Sequence, residues 1–382
     1  MQSSFRHFPA FLLAASGIVH AQGAPSALFR AGLNFDTIPR ASVPADPLEL
    51  VMNAAQPVQD AQQRQAAIAL LEKARGLSNV RAQPYDLKTS FFASGGLASD
   101  GNWMLEDISF GQGYRWTAKG PNYSAINVYP ESTQSVLYGN QPGGILPLRL
   151  LQVRAAIFFT YPTVGPQASV RTATGFLNGV EQRCVLIVIG AGDRTFTGAR
   201  NWEESEYCVD ANSGLLTTYS PAPGLFVHYD YSSALRFHNK AIPTGFTISQ
   251  AGQMVADAKT ISVSDPTGTR EAVYNTAGLT ELGVGRAMNP TSRLRARMPA
   301  PGRSFPTSDA NAVIQVVALH GNVAGDGHLS EVEVLASSDA ALNQVALDRA
   351  GAMAQERLHG QPGATPQSRE LILTFEFVMP GQ

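Results

Sequence analysis

Residues 312–335 read AVIQVVALHGNVAGDGHLSEVEVL, and the rest of the chain is best approached from there. Val313, Ile314, Val316, Val317 and Leu319 crowd a short segment, which suits a strand with a buried face. Gly321 to His328 then places three glycines in eight residues, including the pair Asp326-Gly327. Asp-Gly is favoured where central turn residues need positive φ, so a tight reversal is expected. Leu329 to Leu335 reads as a second strand, with Glu331 and Glu333 alternating outward. Ser337, Ser338 and Asp339 are good helix N-caps. Ala341, Leu342, Val345, Ala346, Ala350 and Met353 recur at spacings of three and four, one face of a helix. Gly351 weakens that helix by about 1 kcal/mol relative to Ala. Gly360 to Pro366 cannot continue it, and Glu370 to Val378 closes the unit as a strand. Residues 312–380 are therefore expected to form a ββαβ unit.

Outward from this unit, residues 266–311 are poor in apolar periodicity. Pro290, Pro299, Pro301 and Pro306 mark them as a linker. Residues 57–265 form the long body of the chain. Its first element is an amphipathic helix from Gln59 to Ala74, ended by Gly76. Beyond Pro84, Tyr85, Leu87, Thr89, Phe91 and Ala93 alternate. Turn clusters then recur every eight to twelve residues or so, the rhythm of antiparallel sheet joined by hairpins. Leu146 to Phe159 breaks the rhythm. Leu148, Leu150, Leu151, Val153, Ala156 and Ile157 make it apolar nearly all round, as expected of a buried or cavity-covering helix. Strands resume from Ser169 and run to Val263. The expected fold class is α+β: a curved antiparallel sheet with covering helices, followed by a small ββαβ domain.

Composition limits the function. The chain has 382 residues, is 44% hydrophobic and only 15% charged, and carries a formal charge of −2. Such a balance offers no field for nucleic acid. Arg6 followed by the apolar run Phe8 to Val19 and the small-x-small site Val19-His20-Ala21 reads as a signal peptide over residues 1–21. The run is short of the roughly 20 residues of a span, so no transmembrane anchor is expected after cleavage. Residues 22–56, rich in Ala and Pro, read as an extended lead-in. The expected compartment is the periplasm or the exterior. Cys184 and Cys208 are the two cysteines of the chain. Both sit in strand-like sequence without metal spacing, so a structural disulfide is expected, contributing about 3 kcal/mol in the chain-entropy model.

Two resemblances follow from these residues. Val332-Glu333-Val334-Leu335-Ala336-Ser337-Ser338, then Leu342-Asn343-Gln344-Val345-Ala346-Leu347, then Leu373, Phe375 and Phe377, resemble the C-terminal domain of TonB-type proteins. The upstream Tyr-Pro and the Phe-x-Pro-Ala after the helix of that family are missing; Arg357-Leu358-His359-Gly360-Gln361-Pro362 stands in place of the latter. The body of the chain resembles the LolA/LolB/LppX-like family. The matching residues are Phe91-Phe92-Ala93-Ser94-Gly95, Glu206-Tyr207-Cys208-Val209-Asp210 with Gly214-Leu215-Leu216, and Ile242-Pro243. That resemblance implies a half-barrel around an apolar cavity, and a lipid or other apolar ligand. Phe91, Leu150, Leu151 and Ile157 are the candidate cavity residues. The TonB-like unit implies an envelope protein as partner, gripped by an edge strand.

Catalytic chemistry has weaker claims. His320, Asp326 and His328 surround one turn and could ligate a metal, but a solvated hairpin tip explains them as well. His228, His238 and His320 lie in separate strands. Glu203, Glu204 and Glu206 suit either an acid pair or a solvated strand edge. Trp103, Trp116 and Trp202 suit either a pocket or an aromatic core. No nucleophile elbow, Walker loop or His-Glu-x-x-His occurs. The expectation is a non-enzymatic binding protein without cofactor, metal or catalytic residues. The alternatives are a secreted hydrolase with its site among the β-domain loops and a structural envelope adaptor without ligand.

Overall fold

Alternating side chains and frequent turns build one large sheet. The computed structural model describes residues 55–80, 83–95, 100–130, 136–139, 148–157, 163–189, 204–284, 313–323, 328–359 and 369–379. The expected signal peptide, nearly all of the lead-in, residues 285–311 of the linker, Trp202, Glu203 and Asp326 lie outside them.

Five strands form a first meander: β2 (Pro84–Ala93), β3 (Gly101–Phe110), β4 (Tyr114–Lys119), β5 (Ser124–Tyr129) and β6 (Val136–Gly139). A second comprises β7 (Ser169–Leu177), β8 (Val180–Val188), β9 (Ser205–Asp210), β10 (Leu216–Ala222) and β11 (Leu225–Asp230). The hairpin β14 (Gly245–Gln250) and β15 (Gln253–Ser264) joins them, β14 pairing with β11 and β15 with β2. β1 (Gln56–Pro57) borders β7 at one edge, and β16 (Glu281–Val284) borders β6 at the other. The result is a 14-stranded sheet with antiparallel pairing throughout. A sheet this wide must curl to bury its apolar face. β12 (Leu235–Phe237) and β13 (Lys240–Ile242) form a separate ribbon. β16 falls within the stretch expected to be linker; it pairs with β6 through Glu281, Gly283 and Val284.

Two helices lie against the inner face. α1 (Ala61–Ser78) starts at Asp60, whose carboxylate accepts the Gln63 N–H at 2.8 Å. It buries Ala67, Leu71 and Ala74 against the sheet. It runs two residues past Gly76, where the sequence suggested a stop. The Lys240 ammonium meets the Gly76 carbonyl, which sits on the last turn where a cation suits the helix dipole. α2 (Leu148–Ile157) buries Leu150, Leu151, Val153 and Ala156 in the same cluster. Its Arg154 binds Asp107 of β3 at 2.7 Å, and Tyr85 donates to the same carboxylate at 3.0 Å. The four-residue α3 (Arg270–Val273) precedes β16.

The final unit has β17 (Val313–Val323), β18 (Leu329–Ser337), a 3-10 turn (Ala340–Leu342), α4 (Asn343–His359) and β19 (Arg369–Met379). It is the expected ββαβ order, with β17 central and both neighbours antiparallel. Gly321 belongs to β17 rather than to a turn. Asp339 caps the 3-10 turn by accepting the Ala341 N–H at 3.0 Å. Val317 and Leu319 face α4 and form a local core with Leu342, Ala346, Ala350, Leu373 and Phe377. The other face, with Val316, Ala318, Leu335 and Ala336, belongs to the core of the large sheet. The ββαβ unit is thus docked on the half-barrel rather than displayed beside it.

Candidate functional site

The expected disulfide joins Cys184 of β8 to Cys208 of β9, which are direct register partners with Cα atoms 4.0 Å apart. It lies on the outer face, in a small cluster with Leu186, Phe226 and Ala55. Beside it Arg171 of β7 makes a two-pronged contact with Glu204, at 2.8 and 2.6 Å. Glu204 and Glu206 are buried, so the solvated edge expected of them is not what the fold makes. Alternation places them on the outer face, but the Arg171 pairing and the neighbouring cluster exclude solvent there.

Phe91, Leu150 and Leu151 all enter the inner apolar cluster, and Ile157 packs against it. Trp103 and Trp116 are core as well, with Phe91 stacked on Trp103 at a centroid distance of 6.0 Å. Among the described residues, an open concavity lies next to this cluster, between α1 and the hairpin β7–β8. It is a groove of ≈ 510 Å³. Ala66, Ala67, Ala69 and Leu70 supply the helical wall; Thr172, Thr174 and Val185 belong to the sheet side. Lys73 and Arg183 are its cations. The volume falls in the range of small-molecule sites. Its walls exist because α1 carries alanines where longer side chains would reach the sheet. Arg64 fixes the helix by donating to the carbonyls of Ala168 and Gly165, both at 2.8 Å.

A second polar locus joins the half-barrel to the C-terminal sheet. Arg149 of α2 is fully buried, and Glu333 of β18 is 8% exposed. Arg149 Nη1 donates to Glu333 Oε1 at 2.9 Å and Nη2 contacts Oε2. Nη1 also reaches Gln152 at 2.8 Å and Gln250 at 3.2 Å, and Nε donates to the Ser94 carbonyl at 3.0 Å. Burial pushes the Glu333 carboxyl above its usual range. Arg149 and His320 act against that rise and Asp100 adds to it. Glu333 therefore does not face outward as strand alternation suggested. Docking turns its side of β18 into an interior. Nearby, the Ser337 N–H donates to the Pro223 carbonyl at 3.0 Å. Gly224, with φ 74°, lets β18 approach that turn; a Cβ there would stand 2.9 Å from the Ser337 carbonyl.

The histidines do not form one centre. His228 contacts Thr218 Oγ1 at 2.9 Å, and His238, in the β12–β13 turn with φ 46° rather than in a strand, contacts Asp265 at 2.7 Å. His320 lies buried opposite Glu333 in the β17–β18 register. Among the described residues no group of three or more His, Cys, Asp or Glu side chains could hold a metal ion. No described helix is long and apolar enough to cross a membrane.

No family model matches the chain, and no curated protein matches it. Solved structures do. One is an outer membrane lipoprotein-sorting protein domain from Vibrio parahaemolyticus, at 8% identity and TM-score 0.37, covering 55% of this chain and 97% of that one. Another is a LolA superfamily protein from Nitrosomonas europaea, at 9% identity and TM-score 0.35, with coverage of 55% and 97%.

Proposed function

We propose that the chain is an exported, non-enzymatic carrier of an apolar, chain-bearing molecule. The single observation that carries this reading is the groove between α1 and β7–β8. It joins an alanine-lined helical wall to the sheet and has Lys73 and Arg183 among its lining residues. An alkyl chain gains roughly 0.8 kcal/mol per buried CH₂, and the two cations suit an acidic head. The periplasm is the proposed compartment, reached through a signal peptide at residues 1–21. The candidate cavity residues Phe91, Leu150, Leu151 and Ile157 are not among the groove's lining residues; they belong to or pack against the inner apolar cluster. The TonB-like unit supplies partner recognition. β19 is an outer strand of its three-stranded sheet and can take a partner strand by β-addition.

A second reading, a structural adaptor without ligand, draws on the filling of the inner face by α1, α2 and the C-terminal sheet. Mass spectrometry of lipid extracted from the purified native protein separates the two. The carrier reading expects a stoichiometric amphiphile, lost in an Ala66→Trp variant that fills the groove. Absence of any co-purifying lipid, together with no uptake of a fluorescent fatty acid, would leave the adaptor.

A further inference from the structure

Arg149 is a buried, ion-paired guanidinium that takes no part in the groove. The half-barrel supplies the guanidinium and its supports: the Ser94 carbonyl, Gln152 and Gln250. Gly95 leaves it room, since a Cβ at that position would lie 2.4 Å from Arg149 Nη2. The C-terminal unit contributes to Arg149 the carboxylate of Glu333, set among Leu335, Ala336, Val316 and Ala318. These four are at most 1% exposed and share a cluster with Leu150, Ala93, Leu225 and Val255. In chemical terms, what meets Arg149 is an apolar face bearing the buried carboxylate of Glu333, with His320 beside it and Glu331 of the same strand acting on Tyr123 of the half-barrel. The unit that brings it has a separate core on its other face, between β17 and α4.

The geometry points to a second binding site, in which Arg149 receives the head of a single-chain anionic amphiphile. Glu333 and the apolar face around it occupy that site as an internal ligand. Amphiphile and C-terminal sheet compete for it, so loading releases β18 from the half-barrel. This rests on the reading of the chain as a carrier, but it concerns a different place from the groove.

The test uses the full chain, with parinaric acid and its methyl ester as fluorescent probes and hydrogen exchange as a monitor of β18. Glu333→Gln keeps the shape and removes the competing charge. It should tighten parinaric acid by about tenfold or more while leaving the ester unchanged. With the groove filled by Ala66→Trp, Arg149→Met should abolish the preference for acid over ester that remains. Saturating acid should raise exchange at Leu335 and Ala336 in the wild-type chain. Displacement by palmitate assigns a carboxylate head and displacement by a lysophosphatidate assigns a phosphate; either supports an anion receptor. Should Glu333→Gln fail to fold, the oxidised pair Pro223→Cys/Ser337→Cys holds β18 in place. That locked chain should keep groove binding and, once Ala66→Trp also fills the groove, should bind neither probe. Equal affinities in wild-type, Glu333→Gln and locked chains, with β18 protection unchanged, overturn the receptor and leave the groove standing. Failure of every form to bind either probe overturns both.

Discussion

Replacing Arg149 by Met tests how strongly the two units hold one another. Met fills much of the stem volume but removes every donor. Glu333 is then left 8% exposed without its cation, and the Ser94 carbonyl and the Gln250 amide oxygen each lose a donor. Breaking a buried ion pair on one side typically costs 3–5 kcal/mol. The Glu333 carboxyl is already pushed up by burial, so it can take a proton and relieve part of that cost; about 3 kcal/mol is the better figure. Val316 and Leu335 hold the interface as well, each contributing about 1.5–3 kcal/mol by burial. The loss should therefore fall on docking before it falls on either core. Urea denaturation followed by hydrogen exchange should resolve an early transition confined to β17 and β18, with the 14-stranded sheet opening later. In the double variant Arg149→Met/Glu333→Leu both charges are gone, and most of the loss should return. A coupling energy under about 1 kcal/mol in that cycle, or a single transition unchanged by Arg149→Met, would refute the reasoning.

Other outcomes are equally open to measurement. Cys184→Ala/Cys208→Ala removes a bridge across 24 positions of sequence and should lower stability by about 3 kcal/mol in equilibrium unfolding, since the bridge restricts the unfolded chain. Asp60→Ala removes the cap of α1 and should cost about 1 kcal/mol in thermal unfolding. Glu333 and Asp86 both have carboxyl pKa values raised in the fold, first by burial; Glu106 raises Asp86 further. Their contribution is complete below the ordinary values of 4.5 and 3.8, and is lost as pH rises through the raised ones. The urea midpoint should accordingly climb as pH is lowered from neutral toward the ordinary carboxylate range, and Asp86→Asn with Glu333→Gln should flatten that slope.

The elements themselves were legible in the amino-acid order. Period-two alternation in Tyr85–Ala93 and Val313–Leu319, the three-and-four spacing of Leu342, Val345, Ala346 and Ala350, and two cysteines in strand-like sequence are local signals. Each followed from how a backbone repeats. What covers a face is not local. Alternation separates Glu333 from Val334 but does not say which side meets water, and here docking buries the acidic side. Arg149 sits in a helix that reads as apolar all round, and its partner lies 184 positions away. Glu281–Val284 carries too few residues to announce a strand; it becomes one because β6 offers an open edge. The groove arises where alanines of α1 cross β7 and β8, a meeting that no single stretch encodes. The chain by itself fixed strands, helices and their succession, because these depend on neighbours a few residues apart. Only the packed structure decided which polar groups became interior, because burial depends on surfaces brought together from distant parts of the chain.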